Sequence, residues 1–144
     1  MTSALVGRTY LLAVLLNFAW EMAQAPLFEP MGTAWQATRR CFIASLGDGV
    51  VVLLIVAIGA AVFRSGRWFV DHQPGRYAFA STVGLVLAIG IEQGGLATGR
   101  WAYQPTMPRL PQTDLGAVPI AQMIVLSPLI LWTAAAWHSR RPAR

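Results

Sequence analysis

Long apolar runs, broken at intervals by short stretches that carry arginine and proline, dominate the chain. Four windows, 9–28, 41–63, 77–97 and 116–137, are mostly apolar along their whole length. Each is about 20 residues or slightly more, which is what an α-helix needs to cross about 30 Å of hydrocarbon at 1.5 Å per residue. The pattern predicts an all-α integral membrane protein, a compact four-transmembrane-helix bundle with short loops. Residues 1–144 form a single domain, since no repeat, low-complexity tract or long linker divides them.

Between the windows, Pro105, Pro108 and Pro111 forbid a continuous helix over 99–116 and favour an extended or turning cover. The segment 26–40 forms the other loop on that side, with a short interfacial helix expected over 33–40. Pro128, in the middle of the fourth window, removes one backbone bond and leaves the carbonyl of Ile124 free. Ser45-x-x-x-Gly49 and Gly84-x-x-x-Ala88 are small-residue pairs that let helices approach closely.

The first window also has features of a secretory signal: Arg8 precedes a leucine-rich run, and Ala23-Gln24-Ala25 has a small-x-small form. Asn17, Trp20 and Glu21 interrupt that run, however, and Pro26 would directly follow the cut. The segment is therefore read as a retained helix.

Composition agrees with a membrane chain. Hydrophobic residues make up 56% of the 144 and charged residues only 12%, about half of what a soluble domain uses to coat its surface. Mean hydropathy is +0.52. The net charge of +5 comes from eleven Arg and no Lys, spread singly and in pairs between apolar runs, which suits membrane flanks and not a nucleic-acid partner. A lone Cys41 excludes an internal disulfide or thiolate cage. No cofactor and no metal site is expected.

Arg8, Arg64, Arg67, Arg76, Arg140, Arg141 and Arg144 fall on one side of the predicted topology, and Arg39, Arg40, Arg100 and Arg109 on the other. The excess of positive charge inside places both termini in the cytoplasm, in what reads as a bacterial inner membrane. Trp35, Trp68, Trp101, Tyr103 and Trp137 lie at or beyond predicted helix ends, where aromatic belts form.

Three acids interrupt the windows: Glu21, Asp48 and Glu92. An ionisable group inside a bilayer costs roughly 2.5 to 3.5 kcal/mol, so it normally faces protein or water and often marks function. Glu21 and Glu92 lie near the outer ends of their helices and Asp48 about two turns into its own, so all three share the non-cytoplasmic leaflet. Asn17, Glu21 and Gln24 at i, i+4 and i+7 lie on one helix face. Gln93 follows Glu92, and Gln122 lies at similar depth in the fourth helix. The glycines at 94, 95 and 99 would let Arg100 fold back onto Glu92.

Glu21, Glu92 and Asp48 are thus the candidate catalytic residues. Asn17, Trp20, Gln24, Gln93, Arg100, Trp101, Tyr103 and Gln122 are candidates for lining a substrate site. The expected function is general acid–base catalysis, of the isomerase, cyclase or hydratase type, on a lipid-soluble isoprenoid or sterol-like molecule. Such chemistry needs a carboxylic acid kept neutral in a dry site, with aromatic faces or a carboxylate for the cation that forms. The alternative is a structural or assembly subunit of a larger membrane complex, or a homo-oligomer, in which the polar residues fix packing or bind a lipid, pigment or partner helix. Proton-coupled transport would require polar groups in the inner half too, and that half has almost none. His72 and His138 lie on the inner side as interfacial residues, and Ser127 lacks a nearby base that would make it a nucleophile.

Overall fold

The computed structural model describes residues 2–139. It is all-helical, and its four long helices are α1 (Ser3–Gln24), α2 (Ala34–Val62), α3 (Pro74–Ala97) and α4 (Ala117–Ser139). All four are long and apolar enough to cross a membrane, so the chain is an integral membrane protein. Arg140, Arg141 and Arg144, which enter the charge count above, lie outside the described residues.

The helices form a ring in which α1 packs on α2 and α4, α3 packs on α4, and α2 meets α3 more lightly. Small residues set the close approaches. At Gly49 the ring of Tyr10 and the side chain of Val14 on α1 occupy the space a Cβ would need. At Gly84 the obstacle is backbone, because a Cβ would stand 2.8 Å from the carbonyl oxygen of Met123 on α4. Both small-residue pairs of the sequence are therefore packing contacts, as expected.

Pro128 behaves as its chemistry requires. It lies inside α4 without breaking it, and the Ile124 carbonyl that it leaves free accepts a bond of 2.9 Å from the Ser81 hydroxyl on α3. A proline in one helix is thus matched by a serine in its neighbour.

Helix limits differ from the sequence windows at every start. α1 begins at Ser3 and ends at Gln24, where a 3-10 turn over Ala25–Leu27 takes up Pro26. α3 begins at Pro74, whose fixed φ and missing N–H suit the first helical position. The largest difference is at α2, which starts at Ala34 and absorbs the helix expected over 33–40 as its own first turns. The cause is a capping box: the Thr33 hydroxyl accepts from the Gln36 N–H, and the Gln36 side chain accepts from the Thr33 N–H. With 29 residues, α2 is about 43 Å long and the longest of the four, and Trp35 in its first turn is 74% exposed.

The connection between α2 and α3 corrects a second expectation. Trp68 is not a belt residue but fully buried. Its ring lies against Gly59, where a Cβ would clash, and its Nε1 donates to the Val56 carbonyl at 3.0 Å. Phe63 stacks on it and Phe69 meets it edge-on, so the connection plugs this end of the bundle with aromatic rings. Arg76 ties it down by donating to the Trp68 carbonyl and pairing with Asp71.

The opposite end is covered by the two remaining connections, which pair with each other. Glu29 N–H donates to Ala102 O and Gln104 N–H to Leu27 O, both at 2.9 Å, around a bridge between Phe28 and Tyr103. A second bridge joins Arg109 and Gly116. The proline-rich segment is the ordered cover that its composition implied.

Candidate functional site

A band of buried polar side chains crosses the bundle just below this cover. On α1, helical spacing puts Asn17, Glu21 and Gln24 on one face, and Asn17 and Gln24 are buried. Asn17 anchors itself by donating to the Ala13 carbonyl at 2.8 Å. Its own carbonyl then faces α4.

Gln122, one and a half turns into α4 and itself buried, is the hub. Its amide nitrogen lies 2.8 Å from Asn17 Oδ1, 3.1 Å from Asp48 Oδ2 and 3.3 Å from Glu21 Oε1. Its carbonyl accepts from Gln24 Nε2 at 2.9 Å, and the same Gln24 nitrogen donates to Glu21 Oε1 at 3.0 Å. Side chains of α1, α2 and α4 are thereby joined in one network, with two carboxyl groups from different helices meeting one carboxamide. Asp48 takes part from the middle of α2, about 21 Å from its start, and not from two turns in.

The network is rich in acceptors and poor in donors. Two amide groups supply four N–H hydrogens to these five contacts, and among the described residues neither carboxyl is paired with a cation. Among the described residues the salt bridges are Arg76–Asp71 and Arg109–Asp114, both away from the band. Among the described residues, two buried side-chain atoms have no hydrogen-bond partner: Gln24 Oε1 and Trp20 Nε1. Trp20, expected to line a substrate path, packs partly buried against the core one turn before Gln24.

Glu92, on α3, forms a second centre. Its Oε2 accepts from Trp101 Nε1 at 3.3 Å and from the Tyr103 hydroxyl, while the same hydroxyl accepts from the Gly116 N–H at 3.2 Å. The Trp101 ring reaches Glu92 by lying directly on Gly95, where any Cβ would collide with it. Burial first, and the adjoining Glu92 carboxyl second, hold the Tyr103 phenol above its ordinary pKa.

Of the eleven candidates, Asn17, Glu21, Gln24, Asp48 and Gln122 come together in the band, and Glu92, Trp101 and Tyr103 in the second centre. Three do not join either: Trp20, whose Nε1 has no hydrogen-bond partner, Gln93 and Arg100. Gln93 is exposed, because it follows Glu92 by one residue and so points away from the interior. Arg100 makes no ion pair with Glu92: Gly99 adopts φ +64° and turns the chain, and the guanidinium lies over the Trp101 ring, 5.5 Å from its centre. Sequence reasoning missed Cys41, whose thiol donates to the Glu21 carbonyl at 3.7 Å and seats α2 against the band.

Comparison of the chain with protein-family models, curated proteins and solved structures gives no significant match.

Proposed function

We propose that the chain is a membrane-embedded acid–base enzyme of the isomerase, cyclase or hydratase type, acting on a lipid-soluble isoprenoid or sterol-like substrate. One observation carries this reading: Glu21 and Asp48, from separate helices, converge on Gln122 with no cationic side chain among the described residues in salt-bridge contact with either. Packing alone is served by neutral side chains such as Asn17 and Gln122. A pair of acids adds desolvation that packing does not need.

Moving a proton to and from carbon requires an acid and a base side by side. One proton shared between Glu21 and Asp48 supplies both. Gln122 keeps them in register, and the aromatic body of Trp20 lies on the same helix to face a developing cation. Glu92, clasped by Trp101 and Tyr103, holds the cover over the band. The arginine distribution of the whole sequence supports a bacterial inner membrane with both termini cytoplasmic, which puts the band in the outer leaflet.

The test is proton exchange. Protein in lipid vesicles prepared in D2O is incubated with a panel of acyclic isoprenoid olefins and sterols, and deuterium uptake is read by mass spectrometry. Uptake that falls by about a hundredfold or more in Glu21→Gln and Asp48→Asn, with folding intact, supports general acid–base catalysis. The same uptake in both variants as in wild type reduces the band to packing.

A further inference from the structure

The two unpartnered buried atoms are complementary. Gln24 is 97% buried, its relative exposure being 3%, and its Oε1 is an acceptor with no donor, while Trp20 Nε1 is a donor with no acceptor. They lie at i and i+4 on α1, the spacing at which helix side chains are neighbours. The Gln24 orientation follows from the network. Its nitrogen faces two acceptors, Glu21 Oε1 at 3.0 Å and Gln122 Oε1 at 2.9 Å, so turning the amide over would set oxygen against oxygen twice.

A buried amide oxygen and a buried indole N–H that both stay unbonded would each forfeit a hydrogen bond in a low-dielectric interior. One group satisfies both: an O–H, which donates one bond and accepts another. An ammonium or a metal ion cannot accept from the indole, and a carbonyl or ether cannot donate to Gln24. We infer that a single O–H group, from a resident water or from a lipid-soluble alcohol, is bound between Trp20 Nε1 and Gln24 Oε1, at the edge of the Glu21–Asp48 pair. This rests on the acid–base reading only for its consequence, which is that the enzyme's substrate, product or co-substrate carries that hydroxyl. Occupancy itself can be tested without turnover.

Protein labelled with 15N at the indoles and embedded in lipid nanodiscs gives one N–H signal per tryptophan, six in all, and Trp20→Phe identifies the signal of Trp20. Geranylgeraniol and the hydrocarbon of the same skeleton are titrated in parallel. A saturable shift of the Trp20 signal with the alcohol and not with the hydrocarbon, weakened about tenfold in apparent affinity by Gln24→Leu, assigns the hydroxyl to a lipid-soluble alcohol. A cross-peak from Trp20 Nε1–H to water, with no response to the alcohol, assigns it to a resident water. A signal that shows neither overturns the inference. Should Gln24→Leu not fold, as judged by loss of the other indole signals, the wild-type titration and the water cross-peak still decide. An occupied site without deuterium exchange would remove the enzyme reading and keep this one, and exchange at an unoccupied site would do the reverse.

Discussion

Gln122 on α4 donates to Asp48 on α2 across 3.1 Å, and the same amide nitrogen reaches Asn17 on α1 at 2.8 Å. A single carboxamide therefore ties together three helices. Hydrogen bonds between membrane helices are worth about 0.6 kcal/mol each on average, because the separated helices find other partners. Gln122→Leu removes four such contacts and is expected to lower stability by roughly 2 kcal/mol. Asn17→Leu removes one of them and is expected to lose about a quarter of that. Equilibrium unfolding in mixed detergent–SDS micelles measures both, and equal losses would show that Gln122 is no hub.

The Pro128–Ser81 match gives a test by double-mutant cycle. In the wild-type chain the Ile124 carbonyl depends on the Ser81 hydroxyl, at 2.9 Å, so Ser81→Ala is expected to be destabilising by about 1 kcal/mol. Replacing Pro128 by Ala restores a backbone N–H that can bond to that carbonyl, and Ser81→Ala should then be nearly neutral. A coupling of about 0.5 to 1.5 kcal/mol between the two positions is expected in the same unfolding assay. Additive effects would separate them.

These two networks show how far the sequence could be read. Pro128 announces a free carbonyl by its chemistry alone, and Asn17, Glu21 and Gln24 announce a polar face by helical spacing. The four spans are legible because membrane thickness makes length and apolarity decisive. What Asp48 meets was not legible, because cross-helix register depends on where α2 starts. Arg39 and Arg40 there resemble a loop, and the Thr33–Gln36 capping box, the signal that could have placed the start, lies before the apolar run. The seats of Trp68 and Trp101 were hidden for a related reason: each is a glycine, Gly59 or Gly95, of the preceding helix, and it forms only once the chain has turned back. The Gly99 turn likewise sent Arg100 away and brought Trp101 and Tyr103 to Glu92 in its place.

Close approach of α3 and α4 makes a sharp steric prediction. At Gly84 an added Cβ meets the Met123 carbonyl at 2.8 Å, and backbone cannot swing aside as a side chain would. Gly84→Ala should therefore push the helices apart and lower stability by about 1 to 3 kcal/mol. Gly90, on the same helix with nothing within 4 Å of its added Cβ, is the control. Gly90→Ala should be neutral, or stabilising by up to about 1 kcal/mol through helix propensity. Matching losses at both positions would mean that α3 does not approach α4 through Gly84.

The clasp at Glu92 should weaken in alkali through Tyr103. The phenol lies outside the spans, and burial together with the Glu92 carboxyl raises its pKa in the folded chain. Unfolded tyrosine loses its proton near pH 10. Above that value the unfolded chain binds fewer protons than the folded one, so stability falls as pH rises, whereas below it the contribution of the protonated phenol is fully present. Thermal unfolding followed from pH 8 to 11 should show a decline beginning near pH 10 in wild type. Tyr103→Phe should be less stable at pH 8, having lost its bonds to Glu92 and to the Gly116 N–H, yet should decline less steeply in alkali. Glu92→Gln removes the carboxyl that opposes phenolate formation and should also flatten the decline. Parallel curves for wild type and Tyr103→Phe would show that this phenol does not hold the cover on α3.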